Sequence, residues 1–305
     1  MKIILLYLYL SLWLFAFEAN IIKPVSTPDD LNIRKVYLGK DLFRDASLSR
    51  DGTISCASCH PSDMFGVDNF TRSVGVDGKT GDINTPTTYH SRYFFAQFQD
   101  GRAKDLQEQA LGPITNPVEM DNTIENVLKY VKSNNHYIVQ FRNLYNDGIT
   151  IENIVDAIAE FEKALVSPSR FDEYLKTGDK SVMRDVELEG FELFKSYGCI
   201  ACHNGISLGG NLFQKLGIFK PYEGTSLGRF NVTGEEQDKY YYKVSTLRNI
   251  YWTHPYLHDG SIEKTYDVIE FMGEYQLGVD IPDEDIKKIE QFFHSLTGEL
   301  PNVVK

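Results

Sequence analysis

The pentapeptide Cys-x-x-Cys-His occurs twice in this chain, at residues 56–60 and 199–203, and the two copies use all four cysteines. This spacing lets each thiol add to a vinyl group of haem, and the histidine that follows becomes an axial iron ligand. A zinc site would not need those histidines, and a redox dithiol would lie near a βαβ pattern, which we do not find. The motifs therefore predict two covalently bound haem c groups, held by Cys56, Cys59, His60, Cys199, Cys202 and His203.

The chain begins with the pattern of an export signal. Met1 and Lys2 precede an apolar run over residues 3–17, and cleavage after Ala19 would make residues 1–19 a signal peptide. An uncleaved anchor is the alternative, but the run is shorter than the roughly 20 apolar residues that span a bilayer. No other stretch could cross a membrane. Haem c is attached outside the bacterial cytoplasm, so we expect a periplasmic protein with no membrane span in the mature chain.

The formal net charge of −12 argues against nucleic acid as a partner. An acidic surface speeds encounter with a basic one, so a small basic electron-carrier protein would fit. A charge that only maintains solubility is an equally good interpretation.

Helical periodicity predicts a mainly α protein. The predicted helices cover residues 31–43, 123–133, 151–165, 186–197 and 283–296. The long loops at 66–90, 204–234 and 273–282 suit segments that wrap a haem. A helix precedes each haem motif and a Gly-rich loop follows it, which is a weak internal repeat. We predict two c-type cytochrome domains, residues 20–167 and 168–305, each wrapping one haem.

The ligand on the far side of each iron decides whether a haem transfers electrons or binds peroxide. Four methionines follow the signal, namely Met64, Met120, Met183 and Met272. Met272 stands where the helical pattern gives way to a loop, which suits a ligand that reaches back to the second haem. Core filling is the alternative for a lone methionine.

A series of motifs resembles those of the bacterial di-haem cytochrome c peroxidases, in the superfamily that includes the MauG-type enzymes. The resemblance runs from about residue 38 to residue 301. The motifs are LGKDLFRDASLSRDGTISCASCH (38–60), QDGRAKDLQEQA (99–110), NPVEM (116–120), GCIACH (198–203), KVSTLRN (243–249), THPYLHDG (253–260), MGEYQLG (272–278) and SLTGELP (295–301). The resemblance implies a peroxidatic N-terminal haem and a high-potential C-terminal haem for electron entry, whose axial methionine matches Met272.

By the same resemblance, Glu119 matches the catalytic acid/base and Gln109 a neighbour that donates a hydrogen bond to peroxide. A carboxylate over the iron can move a proton from one peroxide oxygen to the other, as O–O heterolysis requires. The resemblance also implies one Ca²⁺ between the domains, bound by the Asn84 side chain and the Thr253 and Pro255 carbonyls, which are suitable hard donors. It further implies a small c-type cytochrome as electron donor, and family enzymes are often homodimers.

The chain departs from the family pattern at two positions. Many members carry a distal histidine after the first haem, and its place falls on Val76, which cannot ligate iron. We therefore expect an N-terminal haem that needs no reductive activation. Members usually have tryptophan before the Asp-Gly-Arg motif, but here Gln99 stands there and cannot relay electrons. Trp252 is either a substitute relay or a packed aromatic, and His90 is expected to be a surface or packed residue.

These features predict a periplasmic peroxidase that reduces hydrogen peroxide to water with electrons from a small cytochrome c. A MauG-type oxidase of a protein or organic substrate is the second hypothesis. Val76 favours it, because MauG-type enzymes keep the site open, and Met272 opposes it, because MauG has tyrosine there. A non-catalytic di-haem electron-transfer or sensor protein is the third, which Gln99 favours and Glu119 opposes.

Overall fold

The computed structural model describes residues 21–305, so the predicted signal peptide lies outside the described residues. Helices dominate this part of the chain, and the one sheet found within it has two short strands. The predicted mainly α class is therefore confirmed. Among helices in the described range, none has the length and hydrophobicity that a bilayer span requires.

The helices and strands follow one another along the chain with long irregular segments between them. The α-helices are α1 (Ile33–Arg44), α2 (Cys56–Cys59), α3 (Leu106–Thr115), α4 (Ile124–Ser133), α5 (Asn135–Leu144), α6 (Ile151–Lys163), α7 (Arg170–Thr177), α8 (Asp185–Ser196), α9 (Phe230–Thr233), α10 (Thr265–Phe271) and α11 (Asp283–Ser295). A π-helix, Met272–Leu277, continues α10 directly. Strands β1 (Phe213–Lys215) and β2 (Tyr241–Lys243) pair antiparallel, with Gln214 opposite Tyr242. Short 3₁₀ helices occur at Ala46–Leu48, Ser62–Met64, Val76–Gly78, Ser91–Tyr93, Lys180–Val182, Cys199–Ala201, Glu236–Asp238 and Ile250–Trp252.

Two helix pairs cross at a glycine, one in each half of the chain. Helix α1 packs on α6, where a Cβ on Gly39 would lie 1.8 Å from the Ala157 carbonyl oxygen. Helix α8 packs on α11, where a Cβ on Gly190 would lie 1.9 Å from the Lys288 carbonyl oxygen. Any larger residue would push the helices apart. Both α1 and α8 precede a haem motif, so the weak repeat in sequence corresponds to a repeated packing arrangement.

Each helix pair belongs to its own cluster of buried apolar residues. The first cluster includes Phe161, and the second includes Phe292. Each end of the described chain packs in the cluster of the other half. Ile22 lies in the second cluster, and Val303 and Val304 lie in the first. The division of the chain near residue 167 stays a prediction.

The five predicted helices are present, each with ends within two residues of those expected. Helices α2, α3, α5, α7 and α9 were not predicted. The segments expected to be loops at 204–234 and 273–282 contain β1 and α9, and most of the π-helix, respectively. Helix α3 contains Gly112 and Pro113, two residues that disfavour a helix interior, so the local sequence argues against this helix. Helix α5 follows α4 almost without a break, since Asn134 ends α4 and its side chain accepts a hydrogen bond from the His136 N–H. A run of Ser-Asn-Asn resembles a loop in sequence, but here it joins two capped helices.

Candidate haem sites

One cavity of about 650 Å³ extends between the two halves of the protein. Its walls include residues of both haem motifs, namely Cys59, His60, Cys199, Cys202 and His203. A volume of this size suits a large, mostly apolar ligand. The tertiary structure therefore brings the two motifs, which are far apart in sequence, to a common internal space.

The first haem motif forms helix α2 and the turn that ends it. The His60 N–H donates to the Cys56 carbonyl at 2.8 Å, and the His60 Nδ1 lies 3.0 Å from the Gly66 carbonyl oxygen. Because a carbonyl can only accept, Nδ1 carries the proton and Nε2 is left free for a metal. Burial lowers the pKa of His60, which keeps the imidazole neutral. This is the form in which histidine binds iron.

The second haem motif has the same histidine arrangement but a different backbone conformation. Gly198 adopts a left-handed conformation with φ of 88° and turns the chain from α8 into the short helix Cys199–Ala201. The His203 Nδ1 lies 3.4 Å from the Leu208 carbonyl oxygen, so its Nε2 is also left free. Burial lowers the pKa of His203 to about 4. Both imidazoles are therefore neutral with Nε2 free, which suits the predicted role of axial ligand.

The cysteines fit thioether attachment better than free thiolate chemistry. Burial raises the pKa of Cys59 and of Cys199 to about 11, and it raises the pKa of Cys56 further still. A thiolate is the form that binds zinc or attacks a disulfide, and burial suppresses it here. The residues present thus fit two covalent haem c groups.

Glu119 and Gln109 share one wall of the cavity. Gln109 lies on α3, and Glu119 lies in the turn that follows this helix, with Pro113 between them. The Glu119 Oε1 accepts a hydrogen bond from the Asn116 Nδ2 at 2.5 Å, which fixes the carboxylate. Burial raises the pKa of Glu119 even though this hydrogen bond opposes the shift. A carboxyl group with a raised pKa is suited to give and take protons near neutral pH.

Val76 contacts the turn that contains Glu119. Its N–H donates to the Glu119 carbonyl at 2.9 Å, and its side chain is fully buried. The preceding Gly75 lies so close that a Cβ would be 2.2 Å from the Val118 carbonyl oxygen. The loop is therefore held against the Glu119 turn.

Met272 is the methionine of the described chain that lines the cavity. It is the first residue of the π-helix Met272–Leu277. Single π-helical turns frequently occur at functional sites. Met120 and Met183 are buried in the two apolar clusters, and Met64 is 45% exposed. The geometry is compatible with Met272 as an axial ligand, and this role stays a prediction.

The three residues expected to bind calcium also lie in the cavity wall. The Asn84 Nδ2 donates to the carbonyl oxygens of Phe70, at 2.8 Å, and Thr71. This leaves the Asn84 Oδ1 as the group available to a cation. Thr253 and Pro255 are close in sequence to each other and reach the same cavity as Asn84. The calcium site stays a prediction.

Gln99, Trp252 and His90 were considered in the sequence because of the departures from the family pattern, and the structure shows what each of them contacts. Gln99 lines the cavity, and its carbonyl accepts a hydrogen bond from the Lys243 N–H at 2.7 Å. Trp252 is 50% exposed and stacks on Phe65 with ring centroids 6.5 Å apart. His90 is fully buried, with Nε2 3.1 Å from the Ser167 Oγ, so it is a packed histidine.

Glu162 and Lys243 are charged residues of the cavity that were missed in the sequence. Glu162 on α6 is 4% exposed, and its Oε2 has no hydrogen-bond partner within the described structure. Burial raises the pKa of Glu162 to about 8. Lys243 at the end of β2 also lines the cavity. A charge on the apolar stripe of the helix predicted at 151–165 was the signal that could have identified Glu162.

The chain is similar to known di-haem peroxidases in sequence and to a MauG-like protein in fold. The family described as di-haem cytochrome c peroxidase matches residues 33–180. The chain is 46% identical over 285 residues to the cytochrome c551 peroxidase of Nitrosomonas europaea, which covers 92% of this chain and 85% of that protein. It is 40% identical over 275 residues to the cytochrome c551 peroxidase of Pseudomonas aeruginosa, covering 87% and 79% respectively. A MauG-like protein associated with microbial copper homeostasis has a similar fold, with a TM-score of 0.80, 23% identity and 94% coverage of both chains.

Proposed function

Because this chain belongs to the di-haem cytochrome c peroxidase family, we propose that it reduces hydrogen peroxide to water with electrons from a small c-type cytochrome. The observation that carries this proposal is that Glu119 and Gln109 line the same cavity as residues of both haem motifs. The overall reaction consumes one peroxide, two electrons and two protons and yields two waters. The haem irons, when bound, supply an open coordination position and the electron transfer.

Protein side chains direct the proton and the peroxide. Glu119 would take a proton from one peroxide oxygen and return it to the other oxygen, which leaves as water. Asn116 donates to the Glu119 Oε1, which leaves Oε2 available for this proton transfer. Gln109 donates an amide hydrogen bond that orients the peroxide. Met272 and His203 would hold the electron-entry haem, and His60 would hold the peroxidatic haem.

Steady-state turnover of peroxide with reduced cytochrome c tests this proposal. The wild-type protein with both haems loaded is expected to oxidise the cytochrome, with two cytochromes consumed per peroxide. Glu125→Gln removes an exposed carboxylate of α4 and is a matched control for Glu119→Gln. A loaded wild-type protein without turnover would refute the peroxidase assignment.

Val76 leads to a proposal about activation. Valine has no atom that can bind iron, so we propose that His60 would be the one protein ligand of the N-terminal haem in the diferric protein, with the other position open or taken by water. The loop held against Glu119 supports a pocket that is already formed before any electron is added. The EPR spectrum of the diferric protein is expected to contain a high-spin ferric signal, and a one-electron reduction should not increase turnover. Two low-spin haems in the oxidised protein would contradict this.

A MauG-type oxidase of a protein or organic substrate is the second candidate function. The observation that favours it is again Val76, which leaves the N-terminal site open. Met272 opposes it, since the resemblance associates tyrosine with MauG at this position. A change of mass or a crosslink in a partner protein after peroxide addition would support the oxidase over the peroxidase.

We further propose export to the periplasm with loss of residues 1–19, and one Ca²⁺ bound by Asn84, Thr253 and Pro255. The N-terminal sequence of the mature protein tests the cleavage. Few carboxylates take part in the calcium site, so affinity should be modest. Chelation with EGTA is expected to lower activity and Ca²⁺ to restore it. The homodimer suggested by the family is tested by light scattering.

A further inference from the structure

Lys243 joins the two halves of the protein at the cavity. It ends strand β2, and its backbone N–H donates to the Gln99 carbonyl at 2.7 Å. Its ammonium donates to the Ala96 carbonyl at 2.9 Å and lies 4.4 Å from the centre of the Phe94 ring. All three partners belong to the segment between the haem motifs, where relatives usually carry tryptophan in place of Gln99. Lys243 therefore reaches across the junction between the two haem sites.

The charge of Lys243 is not balanced by the protein. Across residues 21–305, no carboxylate lies within 4.0 Å of its ammonium, and the nearby Asp100 pairs instead with the Arg102 guanidinium at 2.7 Å. An ammonium has three N–H donors, and the Ala96 carbonyl uses one. The Lys243 side chain is half-buried at the cavity, and a haem that fills the cavity would remove its ammonium from water, which is costly unless an anion pairs with it. Burial accordingly lowers the pKa of Lys243 to about 7.

The group that fills the cavity must then supply the anion that pairs with the Lys243 ammonium. The haem ring is apolar, and its propionates are its anionic groups. We propose that Lys243 forms an ion pair with a propionate of one of the two haems and thereby raises the reduction potential of that haem. The proposal rests on the haem binding that the proposed function requires, and it deepens that function. A positive charge raises the potential because reduction adds an electron, which the ammonium stabilises.

The position of the pair also gives it a role in electron transfer. The ammonium would connect a propionate in the cavity to the Ala96 carbonyl, while the backbone N–H of Lys243 donates to the Gln99 carbonyl. Because Gln99 cannot act as a redox relay in this chain, electron transfer would depend on how the two haems are positioned, and Lys243 would contribute to that position. Lys243 is thus a positioning residue for the cofactor rather than a catalytic residue.

A redox titration of the loaded protein tests the proposal without peroxide. Lys243→Gln removes the charge but keeps an amide donor, and spectroelectrochemistry measures the midpoint potential of each haem. We expect the reduction equilibrium constant of one haem to fall about tenfold, which is about 59 mV for a one-electron couple. Lys243→Arg should retain the wild-type potential. The matched control is Lys239→Gln, which removes a surface ammonium that pairs with Glu236 at 2.7 Å.

Unchanged potentials of both haems in Lys243→Gln would overturn the proposal and leave Lys243 as a structural link to Ala96. If Lys243→Gln does not retain two haems, resonance Raman spectra of the wild type and Lys243→Arg provide the second measurement. The propionate-bending band is expected to differ between them, because a guanidinium replaces an ammonium at the propionate. An identical band would also overturn the ion pair. The midpoint potentials and the propionate-bending band do not depend on peroxide turnover. A failure of the peroxidase assignment would therefore leave both measurements unaffected.

Discussion

Glu162 should make the stability of this protein decrease as pH rises toward neutrality. Its side chain is 4% exposed on helix α6, and no group of the described structure donates to its Oε2. Burial raises the pKa of Glu162 from 4.5 to about 8. The native state therefore holds a proton that the unfolded chain releases between these two values. The stabilising contribution is complete below pH 4.5 and is lost as pH rises through the folded pKa.

The size of the effect follows from proton linkage. One extra proton in the native state changes the free energy of unfolding by about 1.4 kcal/mol per pH unit. Between pH 5 and pH 7, both within the interval, the wild type should lose about 2.7 kcal/mol relative to a protein without this group. Glu162→Gln is nearly isosteric and neutral at every pH, so it lacks this contribution.

Urea unfolding of the ferric protein at pH 5, 6 and 7, followed by circular dichroism, measures the effect. The difference in free energy between Glu162→Gln and wild type should shift in favour of the variant by about 2.7 kcal/mol from pH 5 to pH 7. Glu152→Gln, in the exposed first turn of the same helix, should keep the wild-type pH dependence. Parallel curves for wild type and Glu162→Gln would refute the reasoning, since Glu162 would then be ionised or paired in the native protein.

Three further predictions concern the haem sites and the fold. Glu119→Gln should lower peroxide turnover by about 100- to 10,000-fold in steady-state assays while both haems stay bound, and a loss below tenfold would exclude acid/base catalysis. Met272→Leu should lower the potential of the C-terminal haem in a redox titration, whereas Met183→Leu, in the apolar core, should leave it unchanged. Asp172→Asn should cost about 3–5 kcal/mol in urea unfolding, because it leaves the fully buried Arg248 without its 2.8 Å partner. A cost under 1 kcal/mol would mean that Arg248 finds another anion.

The covalent chemistry and most of the long helices can be predicted from the sequence alone. Haem attachment depends on five consecutive residues, so the motifs at 56–60 and 199–203 are readable without any neighbour in space. Helical periodicity is equally local, and it predicted α6 and α11 to within two residues. Helix α3 was missed because Gly112 and Pro113 act against a helix locally, whereas packing against α6 decides its conformation.

The full set of side chains around the cavity, and the state of their charges, depends on the tertiary structure. Glu162 and Lys243 were missed in the sequence, and the pKa shifts of these two residues and of Glu119 depend on burial by residues far along the chain. The unbalanced ammonium of Lys243 becomes visible only when β2 packs against the Ala96–Gln99 segment. Electrostatic free energies are set by distance and desolvation in space, and neither quantity can be read from the order of residues.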